Sequence, residues 1–334
     1  MHHEIGRETA MESWLSAALK GNSYSLTPAS SDASFRRYFR AAVDDNTYIV
    51  MDAPPDKEDC RPFVHVANLM VAANLHVPQV LASDLNQGFL LLTDLGSVTY
   101  LNALQGDKVH GLFLDALDAL VTWQLATREG ELPSYDEALL RRELNLFPDW
   151  YLARHIKLEL NSNQRQTLDD IFSLIVRNNL AQPRVFVHRD YMPRNLMVSE
   201  PNPGILDFQD AVIGPIAYDV ASLFRDAFIS WDEEQIIDWT VRYWERARKI
   251  GLPVRADFAE FYQDVEWMGL QRHIKVAGIF ARINYRDGKP HYLSDLPRFM
   301  GYIRHTCERY NALRPLLRLL DSIEAKSATV GYTF

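Results

Sequence analysis

Two patterns of apolar residues divide this chain of 334 residues. In the first part, short apolar runs bounded by turn-forming residues predict β-strands at 24–26, 35–42, 47–51, 79–82 and 88–92. Apolar residues that recur every three or four positions predict two helices there, one at 7–20 that Gly21 would close and one at 56–74. This part is expected to form a small antiparallel sheet that carries one long helix.

Helical periodicity dominates from residue 107 onward. It predicts helices at 107–127, 135–146, 162–180, 217–228, 233–250, 255–284 and 298–321. One β-rich segment, 184–207, interrupts them. We therefore predict an α+β fold, with a small antiparallel-sheet N-terminal lobe at 1–95 and a larger, mainly helical lobe at 96–334. Residues 93–96 would form the hinge of this bilobal fold, where ligands prefer to bind.

The composition excludes several classes of protein. The formal net charge is −9, whereas a nucleic-acid-binding domain usually has a basic excess. No apolar segment approaches the roughly 20 residues that a membrane span needs, and the N-terminal residues lack the apolar run of a signal peptide. The two cysteines favour free thiols in a reducing compartment. We expect a cytoplasmic protein that binds neither nucleic acid nor membrane, and no obligatory protein partner is evident.

The β-rich segment places polar side chains at regular points. An apolar strand ends just before a loop that contains Asp190 and closes at Asn195. A hairpin of strands 196–198 and 204–206 follows, joined by a turn rich in Pro, Asn and Gly, so that Asp207 is expected to return beside Asn195. The sequence thus predicts that two carboxylates and one amide meet at a single point.

These three groups suit the transfer of a phosphoryl group from ATP to a hydroxyl. The transition state of that reaction is loose and anionic, so the protein mainly positions the reactants and neutralises charge. Asp190 is the candidate catalytic residue, because a carboxylate at this point would orient and deprotonate the attacking hydroxyl. Asn195 and Asp207 offer the hard oxygen ligands that Mg²⁺ prefers. We therefore predict ATP and Mg²⁺ as cofactors.

The same residues resemble a known family. The motif His-Arg-Asp-x-x-x-x-Asn at 188–195, followed by Asp207-Phe208, resembles the catalytic loop and metal-binding motif of protein kinases. Kinases of the aminoglycoside and choline types share that core, and the helical second half is more similar to theirs. The resemblance implies a bilobal, protein-kinase-like fold. The alternative is that the segment forms surface polar loops after a buried strand.

Two further residues are expected to support the catalytic loop. The segment 214–220 resembles the one in which these families place a buried aspartate under the loop, which implies that Asp219 accepts backbone N–H bonds there. Asp219 would equally suit the N-terminus of a helix, where the helix dipole favours a carboxylate. We interpret His188 as a packed, hydrogen-bonded residue rather than as a general base.

The phosphate-binding part departs from these families. The chain has neither a P-loop nor the Gly-rich loop of protein kinases, and the polar segment 30–37, with Ser34, takes that place. The short side chains of this segment would let its backbone N–H groups approach phosphates. The alternative is that the segment is a plain polar hairpin without a ligand. The third strand has Met51 and Asp52 where a lysine is usual. The other cations available are Arg36, Arg37, Arg40 and Lys57. Strand alternation prevents all of them from facing the same way.

Six segments along the chain are similar to those of a narrower group, the bacterial anomeric kinases that phosphorylate N-acetylmuramate and N-acetylglucosamine during cell-wall recycling. These segments are 31–39, 51–55, 88–96, 147–152, 271–276 and 279–282. The resemblance implies an ATP- and Mg²⁺-dependent sugar kinase of peptidoglycan recycling that phosphorylates the anomeric hydroxyl of a small amino sugar. The absence of a lysine from the third strand is itself a feature that this chain shares with those kinases.

The resemblance also implies two sets of binding residues. The set for the nucleotide is Ser34, Arg37, Lys57, Asp94 and Leu95. Leu95 would lie nearest to adenine, at the hinge. The set for the acceptor is Glu143, Trp150, Arg194, Arg272 and Lys275. A sugar with a lactyl carboxylate needs a cation together with polar and aromatic contacts, although each of these residues would also suit an exposed charge or a packed aromatic.

Two other functions remain open at this point. One is a kinase for an aminoglycoside or choline, because an acidic protein would attract such cations. The other is a pseudokinase that binds nucleotide without chemistry. The missing lysine favours the pseudokinase, whereas the presence of Asp190, Asn195 and Asp207 together counts against it.

Overall fold

The computed structural model describes residues 2–30 and 35–330. The chain falls into two compact units. The first is formed by residues 1–123 and 193–211, and the second by residues 124–192 and 212–334. The boundary that the sequence suggests, between residues 95 and 96, stays a proposal. Among the described residues, no helix combines the length and the apolar character that crossing a membrane requires.

The strands of the described chain are short. They are β1 (Ser25–Ser30), β2 (Arg37–Val43), β3 (Asn46–Asp52), β4 (Val80–Asp84), β5 (Phe89–Thr93), β6 (Arg184–Val187), β7 (Leu196–Met197), β8 (Gly204–Ile205) and β9 (Val212–Pro215). Its α-helices are α1 (His2–Ala18), α2 (Arg61–Ala72), α3 (Tyr100–Ala103), α4 (Lys108–Leu125), α5 (Glu137–Leu144), α6 (Ser162–Leu180), α7 (Tyr218–Phe224), α8 (Glu233–Lys249), α9 (Phe258–Asp287), α10 (Leu296–Arg309) and α11 (Arg314–Val330). A π-helical segment spans Phe147–His155, and 3₁₀ turns span Pro193–Asn195, Pro290–Asp295 and Asn311–Leu313.

The first unit is built on an antiparallel sheet in the order β1-β2-β3-β5-β4. One apolar cluster joins α1 to this sheet. Its buried members are Met11, Leu15, Leu19, Ala41, Val43, Val50, Phe89 and Leu91. Burial of such side chains contributes about 25 cal/mol per Å² of apolar surface, so this cluster is what holds α1 in place. Gly21 follows α1 in the left-handed conformation (φ +78°), as the sequence predicts.

The hairpin β7–β8 belongs to the same unit. Leu196 pairs with Ile205, and the backbone N–H of Ile205 donates to the carbonyl of His76 at 2.8 Å. A side chain at Gly204 would be too close to its surroundings, because a Cβ there would lie 2.9 Å from Cδ1 of Leu95. Glycine at this position therefore lets the hairpin pack directly on Leu95.

The second unit is mainly helical and is organised around α9, a helix of 30 residues. Buried side chains occur along most of its length. Gly278 lets the backbone at Leu146 approach the helix, since a Cβ at Gly278 would lie only 2.4 Å from the carbonyl carbon of Leu146.

The second unit also contains the strands β6 and β9, which form an antiparallel pair in which Val187 lies opposite Val212. The pair fixes where β6 ends, directly before the predicted catalytic loop.

The predicted α+β class is confirmed, with strands and helices close to the expected positions. The prediction of a single helix at 298–321 is wrong. The structure has α10 and α11 there, separated by a 3₁₀ turn. Pro315 explains the break, because it has no N–H to donate and its ring would clash with the carbonyl of Asn311 in a continuous helix. Strand β9 was also not predicted.

Candidate active site

The loop that carries Asp190 begins where β6 ends and is held by one buried carboxylate. Asp219, on α7, accepts the backbone N–H of His188 at 2.7 Å and that of Arg189 at 3.0 Å. Arg189 has a left-handed backbone (φ +76°), which costs a residue with a Cβ about 1–2 kcal/mol. Burial raises the pKa of Asp219 to about 7, while the two N–H donors and Arg272 act in the opposite direction. The backbone before Asp190 is thus held in one conformation.

His188 lies inside this loop and is buried. Its Nδ1 accepts the backbone N–H of Asp190 at 3.2 Å, and its ring packs edge-on against Tyr191 with the centroids 5.6 Å apart. A ring nitrogen that accepts a backbone N–H has no lone pair left on that atom for a substrate proton. The geometry therefore favours the packing role for His188.

Glu143, at the end of α5, has four donors around its carboxylate. Oε1 accepts from Arg189 at 2.6 Å and from Lys275 at 2.9 Å. Oε2 accepts from the hydroxyl of Tyr135 and from Nε2 of Gln271, the latter at 3.1 Å. Burial alone raises the pKa of Glu143, but Lys275 and Arg189 outweigh that effect and hold the pKa at about 2. Glu143 is therefore a carboxylate anion that ties two cations together.

Arg272 and Lys275, both on α9, are buried beside the same loop. Nη1 of Arg272 donates to the carbonyl of Arg189 at 2.6 Å, and its guanidinium lies 4.9 Å from the ring centroid of Tyr218. Lys275 donates to the hydroxyl of Tyr218 at 3.3 Å. Burial acts to lower the pKa of both cations, but Tyr218 and Asp190, together with Glu143 in the case of Lys275, outweigh it, so that the pKa of each is raised. A concentration of positive charge therefore surrounds Asp190 within this unit.

Asn195 and Asp207 lie together in the first unit. Asn195 ends the 3₁₀ turn before β7, and its Nδ2 donates to Oδ2 of Asp207 at 3.3 Å. The backbone N–H of Leu206 donates to the carbonyl of Asn195 at 2.9 Å, which closes the end of the hairpin. Nε2 of Gln209 donates to Oδ1 of Asp207 at 2.8 Å, and Oε1 of Gln209 is a buried oxygen that accepts no hydrogen bond from the described part of the chain.

These oxygens fit a magnesium ion. Mg²⁺ takes carboxylate and amide oxygens and keeps several waters. The carboxylate of Asp207, the amide oxygen of Asn195 and the orphaned oxygen of Gln209 are donors of that kind. A buried amide oxygen without a partner is costly unless a ligand or water satisfies it. The residues present therefore suit a hard cation.

The predicted cations of the nucleotide-binding set have carboxylate partners. Arg37 contacts buried Asp52 at 2.5 Å and Glu8 at 3.1 Å. Lys57 is about half exposed, at 52%, and lies 3.6 Å from Asp56. Ser34 lies outside the described residues. The assignment of Ser34, Arg37 and Lys57 to the nucleotide stays a prediction.

The residues predicted to form the hinge also have hydrogen-bond partners. Asp94 accepts from Nε and Nη2 of Arg40 at 2.6 and 3.0 Å and from the backbone N–H of Gly96 at 3.0 Å. The side chain of Leu95 is buried, at the hairpin of β7 and β8. An aspartate fixed in this way by three donors holds the backbone of residues 94–96 in one shape.

A model described as the phosphotransferase enzyme family matches residues 25–254. The chain belongs to this family. The matched segment includes the loop of Asp190 as well as Asn195 and Asp207. The prediction that this protein is a phosphotransferase is thereby confirmed.

Curated relatives of this phosphotransferase are similar over nearly their whole length. The N-acetylmuramate/N-acetylglucosamine kinase of Pseudomonas aeruginosa is 56% identical over 298 residues, which are 89% of this chain and 88% of that protein. The kinase of the same name from Neisseria meningitidis is 48% identical over 334 residues, 98% of this chain and 99% of that protein. The predicted resemblance to kinases of these two sugars is confirmed.

A solved structure agrees in fold. The choline/ethanolamine kinase family protein of Mesorhizobium loti superposes with a TM-score of 0.64 and covers 95% of this chain and 100% of its own, at 14% identity. An identity this low shows the fold alone. That fold is the predicted one, the protein-kinase-like fold of choline and aminoglycoside kinases.

The predicted acceptor residues of the phosphotransferase lie in both units. Glu143, Arg272 and Lys275 meet in the buried network of the second unit, and Trp150 lies half-buried in the π-helical segment of that unit. Arg194 lies in the first unit, in the 3₁₀ turn before Asn195. Sequence reasoning missed the other members of the network, which are Tyr135, Arg189, Tyr218 and Gln271. Arg189 had a signal in its place directly before Asp190, and Tyr218 and Gln271 lie in segments 214–220 and 271–276, whose resemblance to kinases was noted.

Proposed function

We propose that this phosphotransferase is an ATP- and Mg²⁺-dependent kinase that phosphorylates the anomeric hydroxyl of N-acetylmuramate and N-acetylglucosamine to the 1-phosphate. The observation that carries the proposal is the pair of relatives named for these two sugars, which are 56% and 48% identical over at least 88% of both chains. At such identity and coverage a relative usually shares its substrate with the chain it matches. The reaction would serve peptidoglycan recycling in the cytoplasm, with ATP and an amino sugar as the partners.

Asp190 is the proposed catalytic base. An anomeric hydroxyl is more acidic than the other hydroxyls of a sugar, so a carboxylate is a sufficient base for it. Asp219, Arg272 and His188 hold the backbone of the loop, which keeps the carboxylate of Asp190 in a fixed direction. Such fixed placement is the largest contribution that a protein makes to phosphoryl transfer.

Asn195 and Asp207 are the proposed ligands of Mg²⁺, with Gln209 beside them. The ion would supply charge neutralisation on the phosphates of ATP. Asp94 and Leu95 are proposed to border the adenine. Ser34, Arg37 and Lys57 were predicted to contact the nucleotide, and these contacts stay predictions.

Arg272 and Lys275 are proposed to recognise the acceptor, with Trp150 and Arg194. A lactyl carboxylate is an anion, and two buried cations on one helix are suited to it. Glu143 was predicted to contact the acceptor as well. Because four donors already surround its carboxylate, an indirect role is favoured, in which Glu143 holds Arg189 and Lys275.

The test is an ATP-consumption screen with one acceptor at a time: N-acetylmuramate, N-acetylglucosamine, glucose, kanamycin and choline. We expect turnover with the two N-acetyl sugars and strong rejection of glucose, since polar groups that bind the acetamido group would be left unpaired. Phosphorus and proton NMR of the product should show the phosphate on carbon one. Phosphate on carbon six, or a preference for kanamycin or choline, would overturn the proposal.

A further inference from the structure

The third strand of the sheet holds a buried acid where the protein-kinase pattern has a lysine. Asp52 is 0% exposed and lies opposite Arg37 in the register of β2 and β3. Its carboxylate accepts from Nε of Arg37 at 3.0 Å and from Nε of Arg7 at 2.7 Å. A buried carboxylate needs such partners, because an unpaired charge in the core is strongly unfavourable. Arg37 therefore stabilises the sheet by pairing with the buried carboxylate of Asp52.

Arg40 is committed in a similar way. It binds Asp94 through two of its nitrogens and donates to the carbonyl of Gly96 at 2.8 Å. Bidentate pairs between arginine and a carboxylate are the strongest and most directional ion pairs in proteins. Releasing Arg40 to a phosphate would free the backbone near the hinge.

Arg36 differs from both. Its side chain is only 13% exposed, and it makes a longer salt bridge, 3.5 Å, to Glu58 just before α2. Burial lowers the pKa of its guanidinium, but Tyr38, Glu58 and Asp207 together raise it. Arg36 is thus a largely buried cation in the electrostatic field of Asp207.

The packing of α2 supports the same placement independently. Phe63, in the first turn of α2, packs on Phe208 with the ring centroids 4.8 Å apart. Phe208 directly follows Asp207, and Glu58 precedes α2 by three residues. Glu58, which holds Arg36, and Phe208, which follows the proposed metal ligand Asp207, therefore both lie near the N-terminal end of α2.

We infer that Arg36, held by Glu58, binds the phosphates of ATP in place of the missing lysine. The inference rests on the proposed use of ATP, but not on which acceptor is phosphorylated. An arginine suits the role because its planar guanidinium presents five donors and can bind two phosphate oxygens at once. Glu58 at 3.5 Å and a hydrogen bond with the side chain of Tyr38 hold the guanidinium in place. Arg37 and Arg40, by contrast, each bind a carboxylate through two nitrogens.

The test measures nucleotide binding directly, by calorimetry with Mg·ATP and with adenosine, on the full chain and without acceptor. Arg36→Gln should weaken ATP binding at least tenfold and leave adenosine binding within twofold. Arg61→Gln is the matched control, since Arg61 is 72% exposed at the start of α2 and pairs only with Asp59 among the contacts described. It should change neither affinity. Phosphorylation of N-acetylmuramate is assayed separately, so that a wrong acceptor leaves this test intact.

Two results would overturn the inference. One is unchanged ATP affinity in Arg36→Gln. The other is an equal loss of ATP and adenosine affinity together with a lower melting temperature, which would make Arg36 a purely structural residue. If Arg36→Gln does not fold, Glu58→Gln decides the question, because it removes the carboxylate that holds Arg36. A change in ATP affinity of at least threefold with adenosine binding kept supports the inference, and unchanged ATP affinity contradicts it.

Discussion

Oε1 of Glu143 accepts a hydrogen bond from Nη2 of Arg189 at 2.6 Å, and Arg189 is the residue directly before Asp190. Arg189 is held at three points: its N–H by Asp219, its carbonyl by Arg272, and its guanidinium by Glu143. A left-handed residue held in this way cannot move without moving Asp190. The position of the loop that carries Asp190 therefore depends on side chains far away in the sequence.

We predict that Glu143→Gln lowers kcat through Arg189 and also raises the KM for the acceptor through Lys275. Glutamine keeps the size of the side chain but leaves Arg189 and Lys275 without a counter-charge, and breaking a buried ion pair costs about 3–5 kcal/mol of stability. Steady-state kinetics and thermal unfolding measure the two effects. Glu137→Gln is the control, because Glu137 lies on the same helix and, among the contacts described, forms only an exposed pair with Arg141. A raised KM with unchanged kcat would instead indicate direct contact between Glu143 and the acceptor.

We predict that Asp190→Asn binds ATP normally but turns over about 10²–10⁴ times more slowly, which is the usual contribution of a general base. The amide has nearly the shape of the carboxylate and cannot take up the proton. The measurements are kcat by coupled assay and ATP affinity by calorimetry. Asp238→Asn, a change in an exposed pair on α8, should behave as the parent protein does. Near-parental turnover in Asp190→Asn would remove Asp190 from the mechanism.

We predict that Asp207→Asn raises the Mg²⁺ concentration needed for half-maximal activity and weakens ATP binding in parallel. The variant removes the negative charge that a divalent ion requires, next to the orphaned oxygen of Gln209. A Mg²⁺ titration at fixed ATP gives the measurement, with Asp210→Asn as the control because Asp210 is exposed nearby. If Asp207→Asn lowered kcat with no change in the Mg²⁺ requirement, the metal would have to be bound elsewhere.

The local part of the site could be predicted from the sequence. The strand before Asp190 and the hairpin that brings Asp207 to Asn195 follow from short-range patterns, because apolar runs and turn residues determine them within about 20 positions. Even Asp219 carried a signal, since it follows a glycine and a proline at the start of a helix. These features depend on few residues and little on the rest of the fold.

The remaining contacts could not be predicted, because they join positions that no periodicity connects. Glu143 meets Gln271 across 128 residues, and Arg7 meets Asp52 across 45. Only the packed fold shows that Arg37 already forms an ion pair with Asp52. The proposal of Arg36 among the four candidate cations therefore depends on contacts that only the structure shows.

The last prediction concerns His273, which is buried on α9 between the rings of Phe299 and Tyr302. Burial, with the nearby charge of Arg225, lowers the pKa of His273 to about 3. In the unfolded chain the pKa is about 6.5, so below that pH the unfolded state binds a proton that the folded state refuses. The stability that neutral His273 contributes is therefore present above pH 6.5 and is lost as the pH falls toward 3.

Between pH 7.5 and 5 this single group should reduce the free energy of unfolding by about 2 kcal/mol. Asp219 titrates in the same range with the opposite sign, because its raised pKa makes the folded state the better proton acceptor.

The measurement is therefore a difference between two proteins, namely urea unfolding of the parent protein and of His273→Gln at both pH values. Glutamine stays neutral, and its amide can still donate to the carbonyl of Arg225 that Nε2 of His273 reaches at 3.3 Å. The parent should lose about 2 kcal/mol more than the variant, whereas His110→Gln, at an exposed position, should follow the parent. Equal losses in the parent and in His273→Gln would mean that His273 takes up its proton in the folded state as readily as in the unfolded one.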